Sequence, residues 1–347
     1  MTEQRPIQPT PVGALRFNTD TSKLEYFDGN QYVNITTDSP EQNTGGTRGI
    51  FMGGYQPGGG NKDDIEFINV DTTGNATDFG NLSDGGRDYP AGCGSPTRGI
   101  FFAGAEPGFR TVIDYVVMSS SGGANDFGDM IISPIQNTAL SNATRGITAG
   151  GLTAPTPSYT KNKSIEFIVM ASTGDSSGFG DLTEDNAASS TCASPTRGIF
   201  NQGSVPTYKK TIEYITIATG GNATRFGDST KAGAGGPAGA SSVTRGVFAG
   251  GQHDNPYPLS DIIDYITIAT EGNAIDFGDL AAATVQASGL SNSIRGLFAG
   301  GSSPNKTNVI SFVTIASTGN ATDFGDLTVA RDRLNQGAAD AHGGIGR

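Results

Sequence analysis

The chain has 347 residues, of which 52 are glycine, 17 are proline and 35% are hydrophobic, and its formal net charge is −12. The acidic charge argues against nucleic acid and against an anionic membrane surface as partners, because phosphate groups are bound by clustered lysine and arginine. No run of about 18 apolar residues is present, so we expect no membrane insertion.

Residues 1–37 are predicted to form a small N-terminal β module. Leu15 and Phe17, and then Leu24 and Tyr26, alternate with polar residues, and Asp28-Gly29-Asn30 supplies a turn before a third strand. A three-stranded meander of about 25 residues buries too little apolar area to be stable alone. We therefore expect this module to dock, oligomerise or bind another protein, and residues 38–46 to form a polar linker.

Residues 47–347 contain six copies of a repeat of about 50 residues. Two anchors recur at intervals of 47 to 52 residues, namely the arginine of a T-R-G step, which reads I-R-G in the sixth copy, and the phenylalanine of an F-G-(D/N) step. The arginines are Arg48, Arg98, Arg145, Arg197, Arg245 and Arg295, and the phenylalanines are Phe79, Phe127, Phe179, Phe226, Phe277 and Phe324. Self-similarity at such a period indicates a repeat architecture.

Each repeat contains four strand-sized pieces separated by turns rich in glycine and asparagine. The first piece is rich in glycine, alanine and serine, and the third is the longest apolar run. Four unequal strands per repeat predict an all-β protein with a six-bladed β-propeller, whose innermost strands must be small where they converge. A linear β-solenoid is the alternative, but it gives no reason for four unequal pieces.

The two ends of the repeat region complement each other. The first copy begins at its second piece, Thr47, whereas the last copy continues into a segment that resembles the first piece at Arg87–Pro96. We expect residues 333–342 to supply the missing strand of the first blade and so leave no open sheet edge.

The charged residues that recur in every repeat are predicted to be structural. An acid stands in the third piece of five copies and a serine, Ser311, in the sixth. A catalytic residue is needed at one site, not at five. We expect the T-R-G arginines to pair with these acids within or between blades. The acids are Glu66, Asp114, Glu166, Glu213 and Asp264.

No residue is predicted to be catalytic, and no cofactor or metal is expected. The D-F-G-D step lacks the spacing of a calcium loop and is explained better as a turn. His253 and His342 are too few for a transition-metal site. Cys93 and Cys192 occupy the same position two repeats apart, and are interpreted as small packing residues rather than a disulfide.

The loops between the second and third pieces vary in sequence and should lie on one face. Divergent loops with aromatic side chains on a constant scaffold are typical of a recognition surface. The alternative is that they are only solvated connections. The candidate receptor or partner residues are Tyr55, Phe109, Tyr159, Tyr208, His253 and Tyr257.

The order of the pieces resembles kelch-type propeller repeats, with apolar strands that end in a glycine pair, as at Gly53-Gly54 and Gly250-Gly251. The chain departs from that family because it has no tryptophan and because two repeats read Ala103-Gly104 and Gln202-Gly203. The T-R-G-x-F-x-G-G and I-D-Y-I-T-I-A-T patterns also resemble tandem repeats in virion proteins of tailed bacteriophages, including marine and cyanobacterial phages. The G-A-L-R-F-N-T-D-T stretch at residues 13–21 is similar to an element near the start of phage tail-fibre proteins.

The phage resemblance implies a non-enzymatic virion structural protein made in the bacterial host cytoplasm. The first interpretation is a tail-fibre or tail-associated adhesin that attaches through residues 1–37 to other virion proteins and presents its propeller to a host-surface glycan or protein. The alternatives are a capsid head decoration or knob protein, a cellular kelch-like interaction scaffold and a glycan hydrolase, the last lacking a paired carboxylate site unique to one blade. Trimerisation through the N-terminal module and docking as a single copy both remain open.

Overall fold

The computed structural model describes residues 10–18, 23–34, 46–105, 108–153, 159–201, 203, 209–253 and 258–346. The chain divides into two compact units, Met1–Gln42 and Asn43–Arg347. Within the described ranges it is all-β apart from one short 3₁₀ turn.

The first unit contains a three-stranded antiparallel sheet in chain order. Its strands are β1 (Leu15–Asn18), β2 (Lys23–Phe27) and β3 (Tyr32–Asn34). The register pairs Leu15 with Tyr26 and Phe17 with Leu24. These four side chains are 39% to 64% exposed, so one face of the sheet is apolar and open to solvent.

The second unit is built from the six repeats, with the following strands. The first repeat contains β4 (Arg48–Met52), a hairpin of β5 (Tyr55–Gln56) and β6 (Gly60–Asn61), β7 (Asp64–Asn69) and β8 (Thr77–Asn81). The second contains β9 (Ala91–Gly94), β10 (Arg98–Phe102), β11 (Val112–Val117) and β12 (Asn125–Asp129). The third contains β13 (Pro134–Ile135), β14 (Thr138–Ser141), β15 (Arg145–Ala149), β16 (Leu152–Thr153), β17 (Thr160–Val169) and β18 (Ser177–Asn186).

The remaining repeats follow the same order. The fourth contains β19 (Ser190–Ala193), β20 (Arg197–Asn201), β21 (Lys209–Thr216) and β22 (Thr224–Gly235). The fifth contains β23 (Ala238–Ser241), β24 (Arg245–Ala249), β25 (Gln252–His253), β26 (Ile262–Thr267) and β27 (Ile275–Asp279). The sixth contains β28 (Ser288–Ser291), β29 (Arg295–Ala299), a hairpin of β30 (Ser302–Ser303) and β31 (Asn305–Lys306), β32 (Val309–Thr314) and β33 (Thr322–Asp326). The chain ends with β34 (Ala338–Ala339) and a 3₁₀ turn at Gly343–Ile345.

Every repeat forms an antiparallel sheet with a core of four strands in sequential order, as in β9-β10-β11-β12. In the first repeat, the first position is filled by β34, which pairs Ala338 with Ile50 and Ala339 with Gly49. This strand lies within residues 333–342, the segment that the sequence analysis assigned to this place. The fourth strands of the third and fourth sheets are longer than the short piece expected, because β18 continues to Asn186 beside β17 and β22 continues to Gly235 to pair with β25.

The six sheets pack against one another in a closed cycle. Six apolar clusters each combine residues of two neighbouring sheets, and one of them joins Leu297 of the last sheet to Phe51 of the first. The first strands of the six sheets also contact one another in the cyclic order β34, β9, β14, β19, β23, β28. Their small residues are required by this approach, because a β-carbon on Gly94 would lie 2.1 Å from the carbonyl oxygen of Ala339.

The T-R-G arginines do not pair with the recurring acids, which corrects that expectation. Each guanidinium lies 4.4 to 4.9 Å from the ring centroid of the third-strand aromatic in its own sheet. The Nη1 atom of each arginine donates to a backbone carbonyl of the next sheet over 2.7 to 3.3 Å. Arg48, for example, donates to the carbonyl of Met118, and Arg295 donates to that of Val70. The register explains the difference, because Arg48 lies opposite Asn69 whereas Glu66 lies opposite Phe51, three residues or roughly 10 Å along the strand.

The recurring acids instead bind the preceding sheet in the cycle. Each accepts hydrogen bonds from the residue four positions after the F-G phenylalanine of that sheet. The donors are Thr328 to Glu66, Ser83 to Asp114, Ile131 to Glu166, Thr183 to Glu213 and Thr230 to Asp264. Two of the acids also form buried ion pairs, Asp114 with Arg87 and Glu66 with Arg331. The acids therefore hold adjacent sheets together.

The glycine-asparagine turn before the fourth strand has a similar role. The side chain of Asn320 accepts from the backbone N–H of Asp279 over 3.1 Å, and Asn222 does the same for Asp181 over 3.0 Å. Both bonds cross to the preceding sheet. Among the described residues, no group of three or more His, Cys, Asp or Glu side chains is placed to hold a metal ion.

Candidate recognition face

The variable loops lie at one end of every sheet. In an antiparallel meander, the segments between the second and third strands share an end with the connections that enter the next first strand. We call the end of the sheets that carries these segments the loop end. The turns between the first and second strands, and between the third and fourth, lie at the opposite end.

Two of the predicted aromatic residues meet at the loop end. Phe109 of the second repeat and Tyr159 of the third have ring centroids 5.8 Å apart and planes inclined by 16°. Tyr159 is 57% exposed. Offset-stacked rings of this kind form a flat apolar surface that ends in a phenolic hydroxyl. The pair joins loops of two different repeats.

Tyr55 lies instead in a charged cluster of the same end. Its ring centroid is 3.7 Å from Nζ of Lys306 and 4.6 Å from Cζ of Arg333. Lys306 pairs with Asp332 at 2.6 Å, and Arg333 pairs with Asp88 at 2.8 Å. Each cation is therefore neutralised by its own carboxylate, and the Tyr55 ring between them is half-buried, whereas Tyr159 is exposed.

The other predicted residues are placed differently. His253 belongs to β25, which pairs with β22, and its backbone N–H donates to the carbonyl of Pro258 over 3.1 Å. It is therefore part of a sheet extension between the fourth and fifth repeats. Tyr208 and Tyr257 lie outside the described residues.

The structure adds a ring of residues that the sequence analysis did not single out. The position nine residues before each of the five repeat arginines from Arg98 to Arg295, together with the matching Arg333, has a left-handed backbone with φ of 55° to 75°. Only one of the six is glycine. They are Tyr89, Gln136, Ala188, Gly236, Gln286 and Arg333. Left-handed residues that carry a β-carbon cost energy and are concentrated at functional sites.

Neighbouring members of this ring are hydrogen bonded around the loop end of the first strands. The N–H of Gln286 donates to the carbonyl of Gly236 over 2.9 Å, and the N–H of Tyr89 donates to that of Arg333 over 2.8 Å. The Gln286 side chain reaches across to the Tyr89 hydroxyl at 2.7 Å. Burial raises the pKa of Tyr89, so this hydroxyl stays protonated. The sequence feature that could have revealed this ring is that the position nine residues before the repeat arginine carries a different type of side chain in most repeats.

The space enclosed by the first strands is small. Its volume is about 30 Å³, and its lining includes Cys93, Leu140, Ser141 and His342. That is about the volume of one water molecule, so no larger ligand fits there. Cys93 and Cys192 are both buried and free, and burial raises the pKa of Cys93 to about 12. Neither thiol is ionised near neutral pH.

No helix among the described residues is both long enough and apolar enough to cross a bilayer. No family model matches the chain, and no curated protein matches it. Among solved structures, one described as "Structure of YjhT" shares 12% identity with this chain at a TM-score of 0.59, covering 76% of this chain and 91% of YjhT. At that identity the likeness concerns the fold alone.

Proposed function

We propose that residues 47–347 form a six-bladed β-propeller and that the protein is a non-enzymatic structural protein of a phage particle. In this proposal it acts as a tail-fibre or tail-associated adhesin, with the loop end turned to the host surface. The propeller is supported by six sheets in cyclic contact and by the pairing of β34 with β4. Closure of this kind removes the free edges that would otherwise attract other strands.

The observation that carries the adhesin role is the stacked pair of Phe109 and Tyr159. The scaffold repeats its contacts in every sheet, whereas this pair is built from two loops that differ in sequence. An exposed aromatic surface with a hydroxyl at its rim suits a sugar ring or an apolar side chain of a surface protein. Scattered single apolar residues need no such explanation.

Attachment to the particle is assigned to the N-terminal module. The face formed by Leu15, Phe17, Leu24 and Tyr26 is exposed in the single chain. The opposite face carries an ion pair of Arg16 with Glu25 at 2.7 Å, and the Arg16 guanidinium lies 3.6 Å from the Tyr32 ring centroid. A sheet that exposes its apolar face is suited to bind another virion protein or further copies of itself.

The test is binding of labelled protein to cyanobacterial cells. We expect the double substitution Phe109→Ala and Tyr159→Ala to lower binding about thirtyfold or more, because the loss of two interface aromatics costs about 2 kcal/mol or more. Ile294→Ala is the matched control, because Ile294 is 58% exposed in a turn at the opposite end. Equal binding by the double variant and the control would contradict the adhesin role.

The position of the protein on the particle separates the adhesin from the capsid alternative. Antibody labelling of particles in negative stain should mark the tail. Labelling of the capsid would favour a head decoration protein. A gene neighbourhood of cellular rather than phage genes would favour the interaction scaffold.

A further inference from the structure

One of the six interfaces between sheets lacks the polar contact that the other five share. At the interface of the fifth and sixth sheets, Ser311 replaces the acid and Ala281 replaces its donor. Thr284 stands at the position that Arg87 and Arg331 occupy at two other interfaces. All three positions that hold an ion pair and its donor around Asp114 are therefore filled by short, neutral side chains here.

This replacement coincides with a pocket of about 220 Å³. Its wall contains Ser311, Ala281 and Thr284 together with Leu280, Phe298 and Val309. The interface of the second and third sheets shows the contrast, because the space beside Glu166 there has no room for even a water molecule. The pocket opens to solvent at Ala281 and Val309, which are exposed.

The chemistry of the wall restricts what could enter. No charged side chain lines the pocket, so a charged ligand would lose its hydration without a counter-ion. Leu280, Phe298 and Val309 supply carbon surface. The Ser311 hydroxyl can donate or accept, whereas the Thr284 hydroxyl donates to the carbonyl of Ala282 over 2.8 Å and can accept from a ligand. A cavity of about 150 Å³ lined by apolar side chains holds benzene. This pocket has room for such a ring and a polar substituent.

We propose that the pocket between the fifth and sixth sheets is a binding site for a small uncharged molecule with an apolar body and one hydroxyl, of the size of phenol. The hydroxyl bonds to Ser311 or Thr284, and the ring packs on Phe298 and Leu280. The proposal does not depend on a role in host attachment.

The experiment is saturation-transfer NMR with phenol on the full chain, and with benzoate as the charged comparison. We expect saturation transfer to phenol and little to benzoate. The combined substitution Ala281→Ser, Thr284→Arg and Ser311→Asp rebuilds the set formed by Ser83, Arg87 and Asp114 and should abolish the phenol signal.

A second variant guards against misfolding of the rebuilt interface. Ala281→Phe alters only the exposed rim and should lower phenol binding at least tenfold. Ile131→Phe introduces the same side chain at the matching position of another interface and should leave binding unchanged. The proposal fails if the unaltered protein shows no signal for phenol, or if Ala281→Phe and Ile131→Phe bind phenol equally.

Discussion

Glu66 and Arg331 form a buried ion pair that joins the first repeat to the segment after the last one. Oε1 of Glu66 lies 3.0 Å from Nη2 of Arg331, and both side chains are at most 1% exposed. Thr328 donates to the same carboxylate from its backbone N–H over 3.1 Å and from its hydroxyl over 2.5 Å. This ion pair lies at the interface between the last and first sheets, and it corresponds to the buried ion pair of Asp114 with Arg87 between the first and second sheets.

Arg331→Met is therefore expected to destabilise the fold strongly. It leaves the Glu66 carboxylate buried without its counter-ion, which typically costs about 3–5 kcal/mol. Urea denaturation measures the change in the free energy of unfolding. Adding Glu66→Gln to Arg331→Met should restore part of the lost stability, because the unpaired buried charge is then removed.

The control for this prediction is Arg225→Ala. Arg225 forms a 2.7 Å ion pair with Asp228, but its side chain is 62% exposed. Such surface pairs contribute at most about 1 kcal/mol. Equal effects of Arg331→Met and Arg225→Ala would show that the buried pair does not stabilise the closure.

Removal of residues 331–347 is expected to lower both the melting temperature and the cooperativity of unfolding. The truncation deletes β34, so β4 loses its partner strand on one side, at Gly49 and Ile50, and keeps only β7 on the other. Calorimetry provides the measurement, and removal of residues 1–42 is the comparison, because that segment is a separate compact unit. A melting curve unchanged by the loss of 331–347 would contradict this role of the C-terminal segment.

The all-β class and the four strands per repeat could be predicted because they depend on local periodicity. The small residues of the first piece, such as Gly94, likewise predict that the first strands approach one another closely. These features repeat six times, so chance patterns in one copy did not mislead the prediction.

The partners of individual side chains could not be predicted in the same way. The spacing of Arg48 and Glu66 along the chain does not determine the strand register, and it is the register that keeps the two side chains apart. The pocket beside Ser311 required three positions, distant in sequence, to be recognised as one interface. Tyr55 and Tyr159 look equivalent as loop aromatics and differ only through neighbours such as Lys306.

Arg145→Met tests the contact that the arginines form instead of ion pairs. Arg145 Nη1 donates to the carbonyl of Ile217 over 2.9 Å, and its Cζ lies 4.9 Å from the Phe167 ring centroid. Loss of a charged hydrogen bond and a cation–π contact should cost about 1–3 kcal/mol. Arg145→Lys should cost less, because it keeps the charge over the ring.

Lys163→Met is the matched control for Arg145→Met. Nζ of Lys163 lies 3.6 Å from Oδ2 of Asp181, and the two side chains are 48% and 40% exposed. Its removal should change the free energy of unfolding by less than about 1 kcal/mol. If Arg145→Met is as mild as Lys163→Met in urea denaturation, the arginine does not hold the third sheet to the fourth.

The C-terminal residues His342 and Asp340 should give the fold opposing responses to acid. Nδ1 of His342 accepts from the N–H of Gly344 over 3.1 Å, and Nε2 lies 2.9 Å from the carbonyl oxygen of Gly94. A neutral ring with its proton on Nε2 satisfies both contacts, whereas a protonated ring would turn a second donor toward an N–H group. Burial also lowers the pKa of His342.

The sign for His342 follows from this lowered pKa. As the pH falls through about 6.5, the unfolded state binds a proton that the folded state does not, so His342 makes stability fall with falling pH. For Asp340, burial raises the pKa to about 6 from an ordinary value of 3.8. The folded state then binds more protons between these values, so Asp340 makes stability rise as the pH falls through that interval.

Melting temperatures of His342→Gln and Asp340→Asn, measured from about pH 7 to about pH 5, separate the two effects. Relative to the unaltered chain, His342→Gln should gain stability on acidification, because the group that resists protonation is gone. Asp340→Asn should lose stability over the same range, because its amide oxygen can still accept from the N–H of Arg48 but no longer takes up a proton. Parallel pH curves for the two variants would contradict the opposing roles, since every other ionisable group is shared and cancels in the comparison.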